Sequence, residues 1–275
     1  MKRFLALFTV ALLAVVLAAC GSDDAKDANE KSDVLVVGAS NNPHAPILER
    51  VQPMLEEEGI ELKIEKYTDY ALPNRDLDAG DLDANFFQHI PFYELQLEEY
   101  GYDFENAGGV HIEPIGIYSK RHESLEDLPE GATIMISSSV ADHGRMLALL
   151  EAQGLITLKE GVDKTAAELD DIAENPHNFE FDASVSPEML VQMYENDEAD
   201  AILINSNFAI DHDINPMEEA IVLEDEDSPY VNIVAVRAED KDDERIQKLM
   251  DALHSKEIQD FIIEEWGGSV VPVDK

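Results

Sequence analysis

The stretch VLVVGASNNPHAPILERVQPMLEEEGIELKIE, residues 34–65, decides the fold class. It starts with a short apolar run and then places Leu48, Val51 and Leu55 at helical spacing. Its last residues alternate between apolar and charged, which is typical of a strand with one buried face. The order strand, helix, strand favours a sheet covered by helices, which is the α/β class.

Strand-like runs and helical patterns continue to alternate toward the C-terminus. Strands are predicted at residues 62–64, 80–87, 115–119, 132–137, 179–183, 199–204 and 231–236, and helices at 91–101, 143–153, 187–196, 242–254 and 258–266. This alternation predicts parallel sheets between layers of helices. The segments GDLDANFF (80–87) and DEADAILI (197–204) share an acidic turn and an apolar strand. Two similar lobes that meet at a ligand cleft would show such a repeat.

The first twenty residues have the pattern of a secretory lipoprotein signal. A basic start and an apolar run precede Leu17-Ala18-Ala19-Cys20, which resembles a bacterial lipobox. We therefore predict a signal peptide at residues 1–19, acyl chains such as palmitate on Cys20, and a flexible tether over residues 20–33. The lipid would hold the protein on the outer side of the cell membrane. The alternative is an ordinary secreted protein with an incidental cysteine.

Composition excludes several classes of partner and site. The chain has 60 acidic and 19 basic residues and a formal net charge of -41, which disfavours nucleic acid and anionic lipid headgroups as partners of the folded body. Hydrophobic residues make up 45% of the chain, which is too many for a disordered protein. Cys20 is the single cysteine, so a monomer can form neither a disulfide nor a cysteine metal site.

Seven sets of residues, taken together, are more specific than composition and periodicity, because they indicate a protein family. In chain order they are GAS (38–40) with PHA (43–45), YTDYALPN (67–74), GDLDANFFQHIP (80–91), EPIGIYSK (113–120), HGR (143–145), INSNFA (204–209) and DSPYVN (227–232). These segments resemble the methionine-binding lipoprotein family of the MetQ/NlpA type. The resemblance extends over essentially the whole predicted mature domain.

The resemblance implies a two-lobed periplasmic-binding-protein fold of type II, in which the chain crosses twice between lobes. Crossings near residues 111–115 and 229–232 would give lobe 1 residues 34–112 and 231–275, and lobe 2 residues 113–230. It also implies delivery of an amino acid, most simply methionine, to an ABC importer with separate membrane and ATPase subunits. Another amino acid or a short peptide is the alternative ligand. We expect a monomer that is not an enzyme and uses neither cofactor nor metal.

A cleft for an amino acid must pair one carboxylate and one ammonium, because burying either charge alone is costly. Arg145, at the predicted start of a helix, is the candidate for the carboxylate, where free backbone N–H groups would assist its guanidinium. Asn207, and secondarily Asn205, follow a predicted strand and could accept from the ammonium. The alternatives are a surface salt bridge for the arginine and helix capping for the asparagines.

Four rings are candidates for the pocket of the ligand side chain, since aromatic edges suit a thioether: Tyr70, Phe87, His89 and Phe92. Their alternative is an ordinary place in the core. Asp142 stands where the family usually has asparagine, within one helical turn of Arg145. It would either pair with Arg145 or point into the cleft and favour an ammonium or a cationic ligand.

Two other functions were weighed. For a metal-binding lipoprotein the eight histidines are scattered, and residues 211–215 lack the glycine and the terminal glutamate of a calcium loop. For a hydrolase, Ser137, Ser138 and Ser139 lie near His143, but the chain has no Gly-x-Ser-x-Gly elbow. A Walker-type glycine loop for nucleotide is absent from the sequence as well.

Overall fold

The computed structural model of the protein describes residues 33–225 and 228–274. The predicted signal peptide, Cys20 and the tether up to residue 32 lie outside the described residues. Within the described part we find no helical segment that has both the length and the apolar character of a bilayer span.

Strands and helices alternate through the described chain. The strands are β1 (Val34–Ser40), β2 (Glu61–Tyr67), β3 (Ala84–His89), β4 (Phe104–Ile112), β5 (Gly116–Tyr118), β6 (Thr133–Ser137), β7 (Thr157–Leu158), β8 (Ile172–Glu174), β9 (Glu180–Val185), β10 (Ala201–Ile204), β11 (Val222–Leu223), β12 (Val231–Arg237) and β13 (Val271–Pro272). The helices are α1 (His44–Glu57), α2 (Leu72–Ala79), α3 (Ile90–Tyr100), α4 (Val140–Ala152), α5 (Leu190–Glu195), α6 (Ser206–Asp211), α7 (Pro216–Glu219), α8 (Glu244–Leu253) and α9 (Lys256–Trp266).

The first sheet has the strand order β13-β4-β12-β3-β1-β2. Strand β1 runs parallel to β2 and β3, whereas β12 is antiparallel to β3 and β4. The helically spaced Leu48, Val51 and Leu55 of α1 are buried in one core with Leu35 and Phe86 of this sheet. Because these side chains recur on one face of the helix, α1 is fixed against the sheet along its length.

The second sheet has the strand order β11-β5-β10-β6-β9. Strands β6, β9 and β10 are parallel, and β5 is antiparallel to both of its neighbours. Met146 and Leu150 of α4 belong to the core on one side of this sheet. Leu190 of α5 and Phe208 of α6 belong to the core cluster that includes Ile204.

The α/β prediction is confirmed, but the prediction of parallel sheets is wrong in part, because both sheets are mixed. Strand β4 was not predicted at all. Its sequence FENAGGVHI has no regular alternation, and its pairing comes from β12 and β13, which lie far away in the chain. Long-range pairing of this kind leaves no local signal.

Each sheet is built from separate parts of the chain. The first takes its strands from residues 34–112 and 231–272, and the second from residues 116–223. The connections at 113–115 and 224–230 join the two sets of strands. The exact division into lobes at residues 112, 113, 230 and 231 stays a prediction.

Candidate ligand-binding cavity

A buried cavity lies where β3, β4 and β10 end and β12 begins. Its lining residues are Tyr70, Phe87, Gln88, His89, Phe92, Glu113, Arg145, Asn205, Ser206, Asn207 and Asn232. The space free of protein atoms is about 380 Å³, but centres of water-sized molecules can occupy only about 20 Å³ of it. That is room for about one water molecule. An amino acid would therefore have to move the walls apart.

Seven of the eight side chains predicted to bind ligand line this cavity: Arg145, Asn207, Asn205, Tyr70, Phe87, His89 and Phe92. They come from strand β3 of the first sheet, from helices α3, α4 and α6, and from the residues that follow β2 and β10. Asp142 is the exception. It is 1% exposed and lies behind two of the lining residues, to which it is hydrogen-bonded.

Three of the predicted rings contact one another at the cavity wall. The ring centroids of Tyr70 and Phe92 lie 5.8 Å apart, those of Phe87 and Phe92 5.9 Å, and those of Tyr70 and Phe87 6.1 Å. The first two pairs meet edge to face, which is a favourable aromatic geometry. The hydroxyl of Tyr70 donates to Oδ1 of Asn207 over 2.8 Å, so this ring also has a polar tie to the opposite wall.

Arg145 is buried, with only 4% of its surface exposed. Its Nη2 donates to the backbone oxygen of Glu113 over 2.7 Å and to the carboxylate of Glu224. Burial alone would lower the pKa of Arg145, but the charges of Glu224 and Asp142 raise it overall, so the guanidinium is cationic. The ring centroid of Tyr230 lies 4.6 Å from the guanidinium carbon, and Nε is buried without a hydrogen-bond partner among the described residues.

The position of Arg145 within its helix differs from the prediction. Helix α4 begins at Val140, with Ser139 at the N-cap, rather than at residue 143. The backbone N–H of Arg145 is therefore inside the helical hydrogen-bond ladder and not free for a ligand. Ser137 is the last residue of β6, and Ser138 and Ser139 connect this strand to the helix. The expectation that backbone N–H groups assist the guanidinium is wrong.

Glu113 lines the floor of the cavity and lies between two fully buried histidines. Nε2 of His111 is 2.7 Å from Oε1 of Glu113, and Nε2 of His44 is 3.4 Å from the same oxygen. Nδ1 of His44 is 2.5 Å from the hydroxyl of Ser40, and its Nε2 is 3.2 Å from Oδ1 of Asn232. Since Nε2 of His44 faces two oxygen acceptors, it must carry the proton.

Burial determines the charge of this cluster. It lowers the pKa of His44 to about 4 and that of His111 to about 3, so both imidazoles are neutral near pH 7. Burial also raises the pKa of Glu113, and His44 and Arg145 oppose that rise. The three donor atoms lie within 4.8 Å of one another, as a metal ion would require. Two imidazole N–H groups donating to one carboxylate account for the same contacts without a cation.

His89, Asp142 and Asn205 form a second polar group beside the cavity. Oδ1 of Asp142 is 3.1 Å from Nε2 of His89 and 3.3 Å from Nδ2 of Asn205. Neither outcome predicted for Asp142 is observed. Arg145 pairs with Glu224 instead, and the carboxylate of Asp142 does not line the cavity.

Sequence reasoning missed several residues of the site: Gln88, Glu113, Ser206, Asn232 and Glu224. Glu113 stands between Ile112, Pro114 and Ile115, and Asn232 stands between two apolar residues of β12. A polar residue inside an apolar run usually has a buried partner. That signal was available in the sequence, although it could not have named the partners.

Known proteins share this architecture. The model of the NlpA lipoprotein family matches residues 35–274. Methionine-binding lipoprotein MetQ of Bacillus subtilis is 47% identical over 274 residues, covering 98% of this chain and 99% of that protein. A pheromone cOB1 precursor/lipoprotein of the YaeC family from Enterococcus faecalis is 53% identical, with a TM-score of 0.85 over 87% of this chain and 100% of that one. A nutrient-binding protein from Burkholderia cenocepacia, solved bound to methionine, is 39% identical, with a TM-score of 0.82 over 86% and 99%.

The two mixed sheets with a polar and aromatic cavity between strand ends thus define a protein of the periplasmic-binding-protein fold, the fold of these substrate-binding neighbours. The fold implied by the sequence resemblance is confirmed. The chain belongs to the NlpA lipoprotein family.

Proposed function

We propose that this protein captures methionine outside the cytoplasmic membrane and delivers it to an ABC importer. The observation that carries the proposal is a pair of buried polar atoms in the cavity wall. Within the described part of the chain, the donor Nε of Arg145 and the acceptor Oδ1 of Asn205 have no hydrogen-bond partner. Unpaired buried polar atoms are costly, so both point to a ligand that supplies an acceptor and a donor. A zwitterionic amino acid supplies both.

The ligand carboxylate would be held by Arg145. The guanidinium is cationic and buried, and it is fixed by Glu224 and by the stacked ring of Tyr230. A guanidinium presents several N–H donors in one plane, which suits a carboxylate. Because Glu224 already occupies Nη2, the ligand would be bound by the remaining donors, of which Nε is one.

The ligand ammonium would be held by Asn205 and Glu113. Oδ1 of Asn205 can accept one N–H, and the carboxylate of Glu113 supplies a negative charge at the floor of the same cavity. Hydrogen bonds to charged groups contribute about 1.5 to 3 kcal/mol each, which is more than neutral ones do. The sequence-based choice of Asn207 for this role is less suitable, because its Oδ1 already accepts from Tyr70.

The thioether would lie among Tyr70, Phe87 and Phe92. Sulfur packs favourably against ring edges, and these three rings form one connected wall. The wall also explains why a ligand must separate the two sides of the cavity before it can enter. We propose that this separation is a movement of two lobes, residues 34–112 with 231–275 against residues 113–230.

The last part of the proposal concerns where the protein is located. The relatives carry the name lipoprotein, and the predicted signal peptide ends at residue 19, directly before Cys20. We propose that lipid on Cys20 holds a monomer at the outer face of the membrane, where it can meet the importer. The polar groups of the cavity match the two charges of an amino acid, and we propose that binding involves no chemical conversion.

Calorimetric titration of the full chain in detergent with each of the common amino acids and short peptides tests the function. We expect saturable binding of methionine and recovery of unchanged methionine afterwards. A protein that binds another amino acid or a peptide in preference, or that binds none of them, would contradict the assignment.

The first prediction concerns the carboxylate site. Arg145→Ala should weaken methionine binding by about 100-fold or more, because the ligand carboxylate loses a buried charged partner. Arg50→Ala is the matched control, since Arg50 has a side chain that is 53% exposed and pairs with Glu257 on the surface. Equal affinity of Arg145→Ala and the parent would exclude Arg145 as the anchor.

A further inference from the structure

Glu224 supplies the carboxylate that pairs with Arg145, and it lies on the second connection between the two sets of strands. Its Oε2 accepts from Nη2 of Arg145 and, over 3.1 Å, from the backbone N–H of Ile115. Its Oε1 accepts from the hydroxyl of Ser228 over 3.0 Å. The backbone N–H of Glu224 also donates to the backbone oxygen of Ile115 over 2.9 Å. Both oxygens of the carboxylate are therefore held within the protein.

These contacts make the carboxylate a fixed neighbour of the guanidinium. Ile115 lies on the first connection and Ser228 on the second, so the side chain of Glu224 is tied to both. If this carboxylate moved away, the guanidinium, in a side chain that is 3% exposed, would lose its paired counter-ion. Breaking a buried ion pair in this way is strongly unfavourable. We therefore expect Glu224 to stay on Arg145 when the cavity is occupied.

A ligand carboxylate would then share the guanidinium with this internal carboxylate. Nη2 of Arg145 already donates to Glu224 and to the backbone oxygen of Glu113. Nε has no hydrogen-bond partner in the described part of the chain, so the ligand would use this side of the group. Two carboxylates on one guanidinium repel each other, and the repulsion is stronger where water is excluded than in bulk solvent.

We propose that Glu224 is a positioning residue that limits the affinity of the cavity for the ligand carboxylate. It holds Arg145 in place and neutralises it in the empty protein, so a carboxylate that arrives gains less than it would from an unpaired guanidinium. This inference rests on the proposed capture of an amino acid. A protein that delivers its ligand must also release it, and a fixed internal anion keeps the carboxylate from being held too tightly.

Glu224→Gln separates the charge from the hydrogen bonds. The amide oxygen can accept from Arg145 and Ile115, and the amide N–H can donate to the hydroxyl of Ser228. Calorimetry on the full chain in detergent compares parent and variant with L-methionine and with 3-(methylthio)propylamine, which lacks only the carboxylate. We expect Glu224→Gln to bind methionine about 10-fold more tightly, because the repulsion is gone, and to bind the amine no more tightly than the parent does.

Two further variants separate this effect from a general change in the protein. Glu160→Gln, on an exposed turn, is the charge-matched control and should change neither affinity. Glu224→Asp keeps the charge and shortens the side chain, so it should not tighten methionine binding. Tighter binding in Glu224→Asp would show that a loosened connection is responsible and not the charge. Unchanged or weaker methionine binding in Glu224→Gln would overturn the proposal as well.

A measurement without ligand keeps this proposal separate from the proposed function. Urea unfolding of the empty protein should have a lower midpoint in Glu224→Gln, because a buried guanidinium has lost its counter-ion. In an Arg145→Met background the same substitution should not lower the midpoint further. A merely structural role would lower both stability and affinity, whereas we expect lower stability with tighter methionine binding. An unchanged midpoint would show that Glu224 does not neutralise Arg145. A parent that does not bind methionine, with the midpoints as expected, would refute the proposed ligand instead.

Discussion

At the scale of single residues, we expect Glu113 to place a negative charge in the cavity wall, because His44 and Arg145 oppose the rise of its pKa that burial causes. The two imidazoles that contact it are neutral, so they stabilise the carboxylate by hydrogen bonds without cancelling its charge. Arg145 is the nearby cation, but it already pairs with Glu224, and a buried charge without a full counter-ion is unfavourable. A ligand ammonium would supply a further cation, and part of the binding free energy would come from relieving this cost.

Glu113→Gln tests this reasoning. The amide keeps the size of the side chain but removes its charge, so methionine binding should weaken by about 10- to 100-fold. The free energy of unfolding without ligand should fall by less than the binding free energy does, or should increase, because a buried charge has been removed. Calorimetry and urea unfolding measure the two quantities. Glu126→Gln, on an exposed turn, is the control, and unchanged methionine affinity in Glu113→Gln would contradict the role of the carboxylate.

Residue types in the cavity were predictable, but their partners were not. The rings and Arg145 stand in recognisable segments, whereas several decisive contacts join distant positions. His89 and Asp142 are 53 residues apart, and Arg145 and Glu224 are 79 residues apart. Sequence spacing identifies neighbours within one helix or strand only. The proximity of Asp142 and Arg145 in sequence therefore suggested a pairing that the fold replaces with two others.

At the scale of elements, α4 carries Arg145 to the cavity, and its placement depends on Gly144. A Cβ atom at this position would lie 2.6 Å from the backbone oxygen of Thr165 and closer still to that of Lys164. The helix and the segment 164–165 can pack this closely only because residue 144 has no side chain. Gly144 is thus a packing requirement next to the predicted anchor.

Gly144→Ala should have two opposing effects on the stability of the protein. Alanine is more favourable than glycine in a helix by about 1 kcal/mol. Its Cβ would overlap with two backbone carbonyls, which costs roughly 1 to 3 kcal/mol because a backbone segment cannot change rotamer as a side chain can. We expect net destabilisation in urea unfolding, together with weaker methionine binding as α4 moves. A variant that is more stable than the parent would show that the segment 164–165 yields easily.

Elements with regular patterns were predicted well. The predicted helix at residues 91–101 appears as Ile90–Tyr100, and the predicted strand at 132–137 appears as Thr133–Ser137. Strand β4 was missed because its glycines interrupt the pattern, although the structure needs them. A Cβ at Gly109 would lie 2.6 Å from the side chain of Val231 on β12. The residue that permits this pairing is the one that hides the strand from pattern analysis.

At the scale of the whole molecule, hydrogen bonds in the described part of the chain join the segments that carry the two sheets. Asn42 donates to Asp211 over 2.8 Å, Tyr70 donates to Asn207 over 2.8 Å, and His89 donates to Asp142 over 3.1 Å. With about 20 Å³ left for the centres of water-sized molecules, the cavity is too narrow for an amino acid. We propose that a ligand that enters breaks these bonds and replaces them by its own as the lobes close.

The stability of the whole molecule should depend on pH through the two buried histidines. His44 and His111 have native pKa values of about 4 and about 3, both below the ordinary value of 6.5. Between those values the unfolded chain binds protons that the native protein does not, so stability falls as pH is lowered through 6.5. Glu113 acts in the opposite direction, because its pKa is raised in the native state. Its effect begins near its own native pKa, and one glutamate does not offset two histidines.

Urea unfolding at pH 7.5 and pH 5.5 measures this effect before most carboxylates titrate. Each of the two histidines should cost about 1.4 kcal/mol at the lower pH. His111→Gln isolates one of them, because the glutamine amide can still donate to Glu113 but does not titrate. The loss of stability on acidification should therefore shrink by about 1.4 kcal/mol in His111→Gln. An identical loss in the parent and the variant would mean that His111 is not held neutral by burial, and that the charge assigned to the floor of the cavity is wrong.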